Sequence, residues 1–256
     1  MMISYSSNYE DVMLARAFNG TKGRYIDIGA HTPVDGSNTY ALYARGWDGV
    51  ACDPIFGYEP QWVMQWSALR PRDLLVRDAI GAEMGETGYW LCNYRGMSTC
   101  DRGRIDEFIK KNGTNSVVDD GTKVQVVTLD RVIEKLLEDK APHLICIDVE
   151  GFEGNVLKGI DLVKHRPWVF CIESYVPHMA PHYPNWEPQL LAAGYHWVWD
   201  DHLNRFYVAD EQAARLDQYF IYPPNYSDGF IRHREYEQQR RIEEYEANRA
   251  NVMTIR

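Results

Sequence analysis

The sequence predicts an α/β protein whose sheet is mainly parallel and closes in an antiparallel hairpin. Two observations carry this reading. Short apolar runs alternate with helical stretches in the first eighty residues and again from 129 onward, the strand–helix–strand rhythm of a parallel sheet with crossover helices. Near the end, two apolar runs flank DDHLN at residues 200–204, which reads as a hairpin loop. With 256 residues and 45% apolar content, the chain is long enough to bury a full core.

Taken in order, SNYE at residues 7–10 forms an S-x-x-E capping box, and EDVMLARAF behind it has a helical apolar face ending at Asn19-Gly20. A strand over 24–28 leads into a turn, then a helix from near 37 to 46. A second strand over 49–52 closes on Asp53-Pro54, a helix covers 62–69, and a third strand covers 73–80. The rhythm breaks between 81 and 127, where Gly, Asn, Asp and Thr accumulate around strand candidates at 89–92 and 123–127. We read about 85–121 as an inserted, partly irregular segment, a kind that often carries specificity. Helices over 129–137, 152–160 and 187–193 then alternate with strands over 143–148 and 168–173, and the hairpin strands are 195–199 and 205–208. One domain over 1–230 is expected, followed by a charged helix or tail over 231–256 that contains RHREYEQQRRIEEYEANR.

Composition narrows the function. No run of 18 apolar residues exists, so no membrane span is expected, and MMISYSSNYED lacks the basic flank and apolar core of a signal peptide. The five cysteines are scattered without a C-x-x-C pair, and three lie in apolar runs, which points to reduced thiols in a cytoplasmic protein. A formal net charge of −10 argues against nucleic acid as the main partner. Assembly into a homo-oligomer stays open.

In open parallel sheets, ligands bind at the carboxyl edge of the strands. Asp27 lies within the first strand, and Asp53, Asp78, Asp148 and Glu173 end the next four. Asp is a common turn residue and helix cap, but five acids at equivalent places suggest a site. The turn after the first strand reads Gly29-Ala30-His31-Thr32-Pro33-Val34. A dinucleotide needs G-x-G-x-x-G, so that backbone approaches the pyrophosphate and a helix N-terminus faces it. His31 and Pro33 remove the close approach and one N–H donor. S-adenosylmethionine has no phosphate and no such need, and Asp53 is placed to take its ribose hydroxyls. The turn favours S-adenosylmethionine over NAD.

SYSSNYEDVMLARAF, YIDIGAHTPVDGSNTYALYARGWDGVACDP, TLDRVIEK, LICIDVEGFEGNVLKGIDL and VFCIES, in this order over roughly residues 4–208, resemble the FkbM-type S-adenosylmethionine-dependent methyltransferases. The resemblance implies the Rossmann-like class I methyltransferase fold, a seven-stranded sheet ending in an antiparallel hairpin. It also implies methyl transfer mostly to hydroxyls, often on sugars of polysaccharides or on polyketide natural products. By position it sets the cofactor against Ser6, Glu10, Asp27, Gly29, Ala30, His31, Asn38, Thr39, Asp53 and Asp78, with Asp148 opening the D-V-E-G block. The sequence departs from many relatives at Ser7 (in place of glutamine), at Thr32 (in place of a second histidine) and at Asp53, where their usual acid is Glu.

An alcohol is a poor nucleophile until it loses its proton, so the acceptor oxygen must be aligned and its proton taken. Asp148 and Glu173 end adjacent strands, where their carboxylates can converge as a general base or as a site for Mg²⁺ or Mn²⁺. His178 or His31 can join either arrangement. The bland alternatives are a surface loop for His178 and His182, and helix N-terminal charge compensation for Glu150. The aromatic-rich run 175–186 reads as a lid over sugar rings or as a Pro-stiffened connector. The expected function is S-adenosylmethionine-dependent O-methyl transfer to a sugar hydroxyl in a glycan or glycosylated metabolite. An NAD-dependent oxidoreductase, or a non-catalytic cofactor-binding subunit of a glycan-assembly complex, is the alternative.

Overall fold

The computed structural model describes residues 2–174 and 185–253. It begins with β1 (Met2–Ser4) and α1 (Glu10–Ala17). The expected capping box does not start this helix. Tyr9 is the cap, left-handed at φ 67°, with no side-chain bond to the helix. The Glu10 carboxylate instead accepts from the Asn8 backbone N–H at 2.8 Å and from the Asn204 side-chain amide at 2.7 Å. A contact 194 residues away in sequence outweighs the local box.

Next come β2 (Arg24–Ile28), with the predicted bounds, then α2 (Tyr40–Ala44), β3 (Asp48–Cys52), α3 (Ile55–Tyr58), α4 (Pro60–Leu69) and β4 (Leu74–Val76). Helix α2 starts later than predicted because Ser37 Oγ accepts from the backbone N–H groups of Thr39 and Tyr40, at 3.3 and 3.2 Å. Local side-chain bonds of this kind compete with helix. The predicted third strand breaks at Arg77-Asp78. Its first half is β4, and its second, β5 (Ala79–Ile80), joins a different sheet.

The middle segment is more ordered than its composition suggests. β6 (Gly85–Cys92) and β7 (Val117–Val127) pair antiparallel, and β5 lies parallel to β7, which makes a separate three-stranded sheet. Between them lies α5 (Arg102–Asn112), capped by Asp101, whose carboxylate accepts from the Arg104 N–H at 2.8 Å. Ile105 is the one buried residue of that helix, so no apolar stripe announces it.

The predicted rhythm then holds, within a few residues at each boundary: α6 (Leu129–Leu136), β8 (Leu144–Ile147), α7 (Glu153–Lys158), β9 (Val169–Glu173), α8 (Glu187–Ala192), β10 (Tyr195–Asp200) and β11 (Asn204–Ala209). α9 (Ala213–Leu216), β12 (Phe230–Arg232) and α10 (His233–Met253) follow. The charged segment is thus a helix, and the strand ahead of it pairs in parallel with β1.

The main sheet has seven strands in the order β10-β11-β9-β8-β2-β3-β4. The five from β9 to β4 are parallel; β11 runs antiparallel to β9, and β10 antiparallel to β11. Strand β2 is the middle one of the five parallel strands, and its side chains alternate between two cores. Ile26 and Ile28 pack with Val50, Ile145, Val132 and Val156 on one face, and Tyr25 packs with Leu14, Leu42 and Trp47 on the other. Cover on both faces is why this strand reads as a nearly continuous apolar run. Each large apolar side chain buried in this way contributes about 1.5–3 kcal/mol. Among the described residues no helix is long and apolar enough to cross a membrane, and all five cysteines are free.

Candidate active site

The turn after β2 is pressed between its neighbours. Gly29 has φ +81°, and a Cβ added there would lie 1.7 Å from the Asp148 carbonyl oxygen, so a side chain is excluded on both grounds. Its N–H donates to the Cys52 carbonyl at 2.9 Å. His31 is left-handed at φ 39° and donates its backbone N–H to Asp53 Oδ2 at 3.0 Å. Its carbonyl accepts from Trp66 Nε1 at 3.0 Å, and its ring lies 4.8 Å from that of Trp62. Burial lowers the His31 pKa and favours a neutral imidazole, and its Nε2 is a buried atom without a hydrogen-bond partner. Asp53 Oδ1 accepts from the Ile55 N–H at 2.9 Å. Burial nevertheless raises the Asp53 carboxyl to about 6.

These residues open onto a cleft that is continuous with solvent. Gly29, His31, Asp53, Asp78 and Asp148 line its strand-end side, and Arg95, Ser98 and Thr99 of the middle segment line the other. Arg95 is held by Glu59, which accepts from its Nε at 2.7 Å and from Trp62 Nε1 at 2.7 Å. Thr99 Oγ1 lies 3.0 Å from the carbonyl oxygens of both Val149 and Glu150 and accepts from the Asp101 N–H at 2.9 Å. The inserted segment is therefore bonded to the end of β8.

At that end the carboxylates converge. Oxygens of Asp148, Glu150 and Glu173 lie within 4.8 Å of one another. Glu150 adopts a left-handed φ of 55°, which turns it back toward the cluster. Arg104 Nη2 donates to Glu150 Oε2 at 2.9 Å. Glu153 sits beneath the same turn, with Oε1 accepting from the N–H groups of Val149 and Gly151 at 3.3 and 2.9 Å. Asp148 is solvent-exposed where it lines the cleft, whereas Glu150 and Glu173 are buried. Desolvation and the neighbouring Glu150 and Glu153 charges push its pKa well up. Glu173 rises likewise, through burial and then Asp148. Two close carboxylates cannot both ionise easily, so the pair favours holding one proton between them.

A family model described as the methyltransferase FkbM domain matches residues 27–197, well over half of the chain. The chain belongs to the FkbM methyltransferase family. The family match spans β2 to β10 and thus includes both sides of the cleft. Among solved structures, the chain is similar to a methyltransferase FkbM from Methylobacillus flagellatus KT, with 17% identity and a TM-score of 0.44, over 73% of this chain and 43% of that one. The chain thus spans under half the length of that relative. No curated protein matches it.

Of the residues singled out from sequence in this family member, Gly29, His31, Asp53, Asp78 and Asp148 share the cleft, and Glu173 adjoins it through Asp148. Asp27 and Thr39 sit behind the turn and bond each other, Thr39 Oγ1 donating to Asp27 Oδ2 at 2.6 Å. Buried Arg70 donates to Thr39 Oγ1 at 2.9 Å from behind. Ala30 is buried, and Asn38 is half-buried in the loop ahead of α2. Ser6 Oγ donates to Asp11 Oδ1 at 2.8 Å. Glu10, raised to about 7 by burial, bonds the side chain of Asn204, the residue paired with Glu173 across the ladder. His178 and most of the 175–186 run lie outside the described residues. Sequence reasoning gave Glu150 a capping role and passed over Arg104. The D-V-E-G spacing held the first signal, but the left-handed turn that brings Glu150 inward has no mark in sequence.

Proposed function

We propose that this chain is an S-adenosylmethionine-dependent O-methyltransferase of class I architecture, acting in the cytoplasm on a hydroxyl of a sugar in a glycan or glycosylated metabolite. The observation that carries the reading is one cleft that joins the strand-end acid Asp53 to the carboxylate cluster at Asp148. The sheet order, with its antiparallel last pair, supports the class I assignment. The residues fit the cosubstrate. Each Asp53 oxygen accepts one backbone N–H, the Tyr89 hydroxyl also bonds the carboxylate, and the group lines the cleft where a ribose hydroxyl would reach it. His31 Nε2 is an unpartnered buried group at the cleft wall. A dinucleotide fits less well: no helix begins between the turn and Tyr40, so no N-terminus directly follows it to face a pyrophosphate.

When bound, S-adenosylmethionine supplies an electrophilic methyl whose bond to sulfur breaks as the bond to the acceptor oxygen forms. The ionised member of the Asp148–Glu173 pair takes the hydroxyl proton, and the raised pKa values bring the pair nearer neutrality, where a general base works best. Arg104 balances one of the three clustered carboxylates. The remaining negative charge also suits a divalent cation, and Asp148, Glu150 and Glu173 would hold Mg²⁺ or Mn²⁺ to lower the pKa of the acceptor hydroxyl. Calorimetry with S-adenosylmethionine, with NAD as control, tests the cosubstrate. Release of S-adenosylhomocysteine only when a sugar acceptor is added separates catalysis from a purely binding role.

A further inference from the structure

A second constellation lies ahead of the amino ends of β8 and β9 and shares no residue with the cleft. His165, in the loop that enters β9, is 1% exposed, yet its Nε2 has no hydrogen-bond partner. Asp130 Oδ1 and Asp139 Oδ1 each stand 3.7 Å from that nitrogen, too far for a hydrogen bond. Glu134 completes the group: ligand atoms of Glu134, Asp139 and His165 lie within 4.8 Å of one another. Ligand atoms about 2.0–2.1 Å from a tetrahedral ion stand roughly 3.4 Å apart, so the two 3.7 Å separations need little change. Rotation of the exposed carboxylate side chains would close the wider spacings, which reach at most 4.8 Å within the Glu134, Asp139 and His165 group. Lys164 Nζ now sits on its outer side, 2.8 Å from Glu134 and 3.0 Å from Asp139. That side chain is 43% exposed, so water can take up the ammonium if an ion displaces it. Asp130, Glu134 and Asp139 outnumber this one ammonium by two charges, the charge of a divalent ion.

We propose that Asp130, Glu134, Asp139 and His165 form a binding site for a divalent transition-metal ion, zinc foremost, that ties α6 to the loop entering β9. An imidazole donor disfavours Mg²⁺ and Ca²⁺, and the oxygen-rich remainder accepts Zn²⁺. To test it, the chain is stripped with a chelator and titrated with Zn²⁺ by calorimetry, with Co²⁺ absorption reporting the ligand geometry. A saturable Zn²⁺ site that persists in Asp148→Asn, a higher Tm with Zn²⁺, and at least ten-fold weaker binding at that site in Asp139→Asn combined with Glu134→Gln are expected. Both positions are largely exposed, so the variant keeps its fold, which circular dichroism checks. Lys164→Met, which removes the competing ammonium, binds more tightly, and Asp148→Asn at the cleft leaves this binding unchanged. No saturable binding, or binding that survives the double variant and disappears in Asp148→Asn, overturns the proposal.

Discussion

Arg104 and Glu150 meet at 2.9 Å, guanidinium to carboxylate, and their contact joins the inserted helix α5 to the end of the central strand β8. Both side chains are about nine-tenths buried. Burial raises the Glu150 pKa, and Arg104 opposes that rise through its hydrogen bond and charge. The same guanidinium also lowers Glu173. A helix that composition leaves looking irregular thus tempers the rise that burial gives Glu150 and Glu173.

Arg104→Gln removes the only positive charge bonded to the cluster among the described residues. The carboxylates then ionise at higher pH, so the rise of methyl-transfer rate with pH moves upward. Turnover at neutral pH falls about ten-fold, the equivalent of one pKa unit, and recovers in part at alkaline pH. A full pH–rate profile checks this; a uniform loss with no shift along the pH axis would mean that Arg104 only packs α5 in place.

Asp53→Ala weakens S-adenosylmethionine binding about ten-fold or more, because hydrogen bonds to a charged group contribute roughly 1.5–3 kcal/mol. Because burial raises Asp53 to about 6, the wild-type affinity also falls as pH drops below that value and the carboxylate gains a proton. Calorimetry on both sides of that pH measures it. Wild-type affinity in a folded Asp53→Ala variant would leave Asp53 as a turn residue that serves the His31 and Ile55 N–H groups.

Burial raises Glu153, like Glu10, from 4.5 to about 7. A folded-state pKa above the unfolded value means that the folded chain binds more protons between the two. The contribution of these two groups to stability is therefore full below about pH 4.5, falls as pH climbs toward 7, and levels off above it. Glu153→Gln retains an oxygen for the Val149 and Gly151 N–H groups but cannot ionise. It flattens part of that slope and stabilises the chain by about 1–3 kcal/mol above neutrality. Urea unfolding across the pH range reads the effect, and equal slopes in the two proteins would contradict it.

Much of the fold was legible in the residues themselves. Strand β2 could be placed to the residue because Tyr25, Ile26 and Ile28 are buried on two faces and Gly29 stops the run. Strand-end acids were legible for the same reason, since a polar residue that closes an apolar run stands out. Helix α5 was not, because it buries Ile105 and little else. β1 and β12 escaped notice as three-residue strands that pair only with each other. Neither has a pattern until the chain ends meet. Glu150 and His165 were missed for a related reason: their surroundings are assembled by turns and distant segments, which carry no local period.

Glu173→Gln separates chemistry from binding. With the paired carboxylate gone, methyl transfer falls by about two to four orders of magnitude, the usual contribution of a general base, while affinity for S-adenosylmethionine is retained. Chelator treatment of the wild type assigns the means of activation: loss of activity restored by Mg²⁺ or Mn²⁺ marks a cation at the cluster, and unchanged activity marks the base. A Glu173→Gln enzyme with full turnover would remove the pair from the mechanism.

The most direct measurement incubates the chain with methyl-labelled S-adenosylmethionine and a panel of nucleotide sugars, oligosaccharides and lipid-linked glycans, and follows the label by mass spectrometry. The account predicts label on an oxygen of one sugar class, with S-adenosylhomocysteine released in equal amount and the transfer reduced in Asp53→Ala. Failure to bind S-adenosylmethionine, together with saturable binding of NAD that Asp53→Ala weakens, would contradict it.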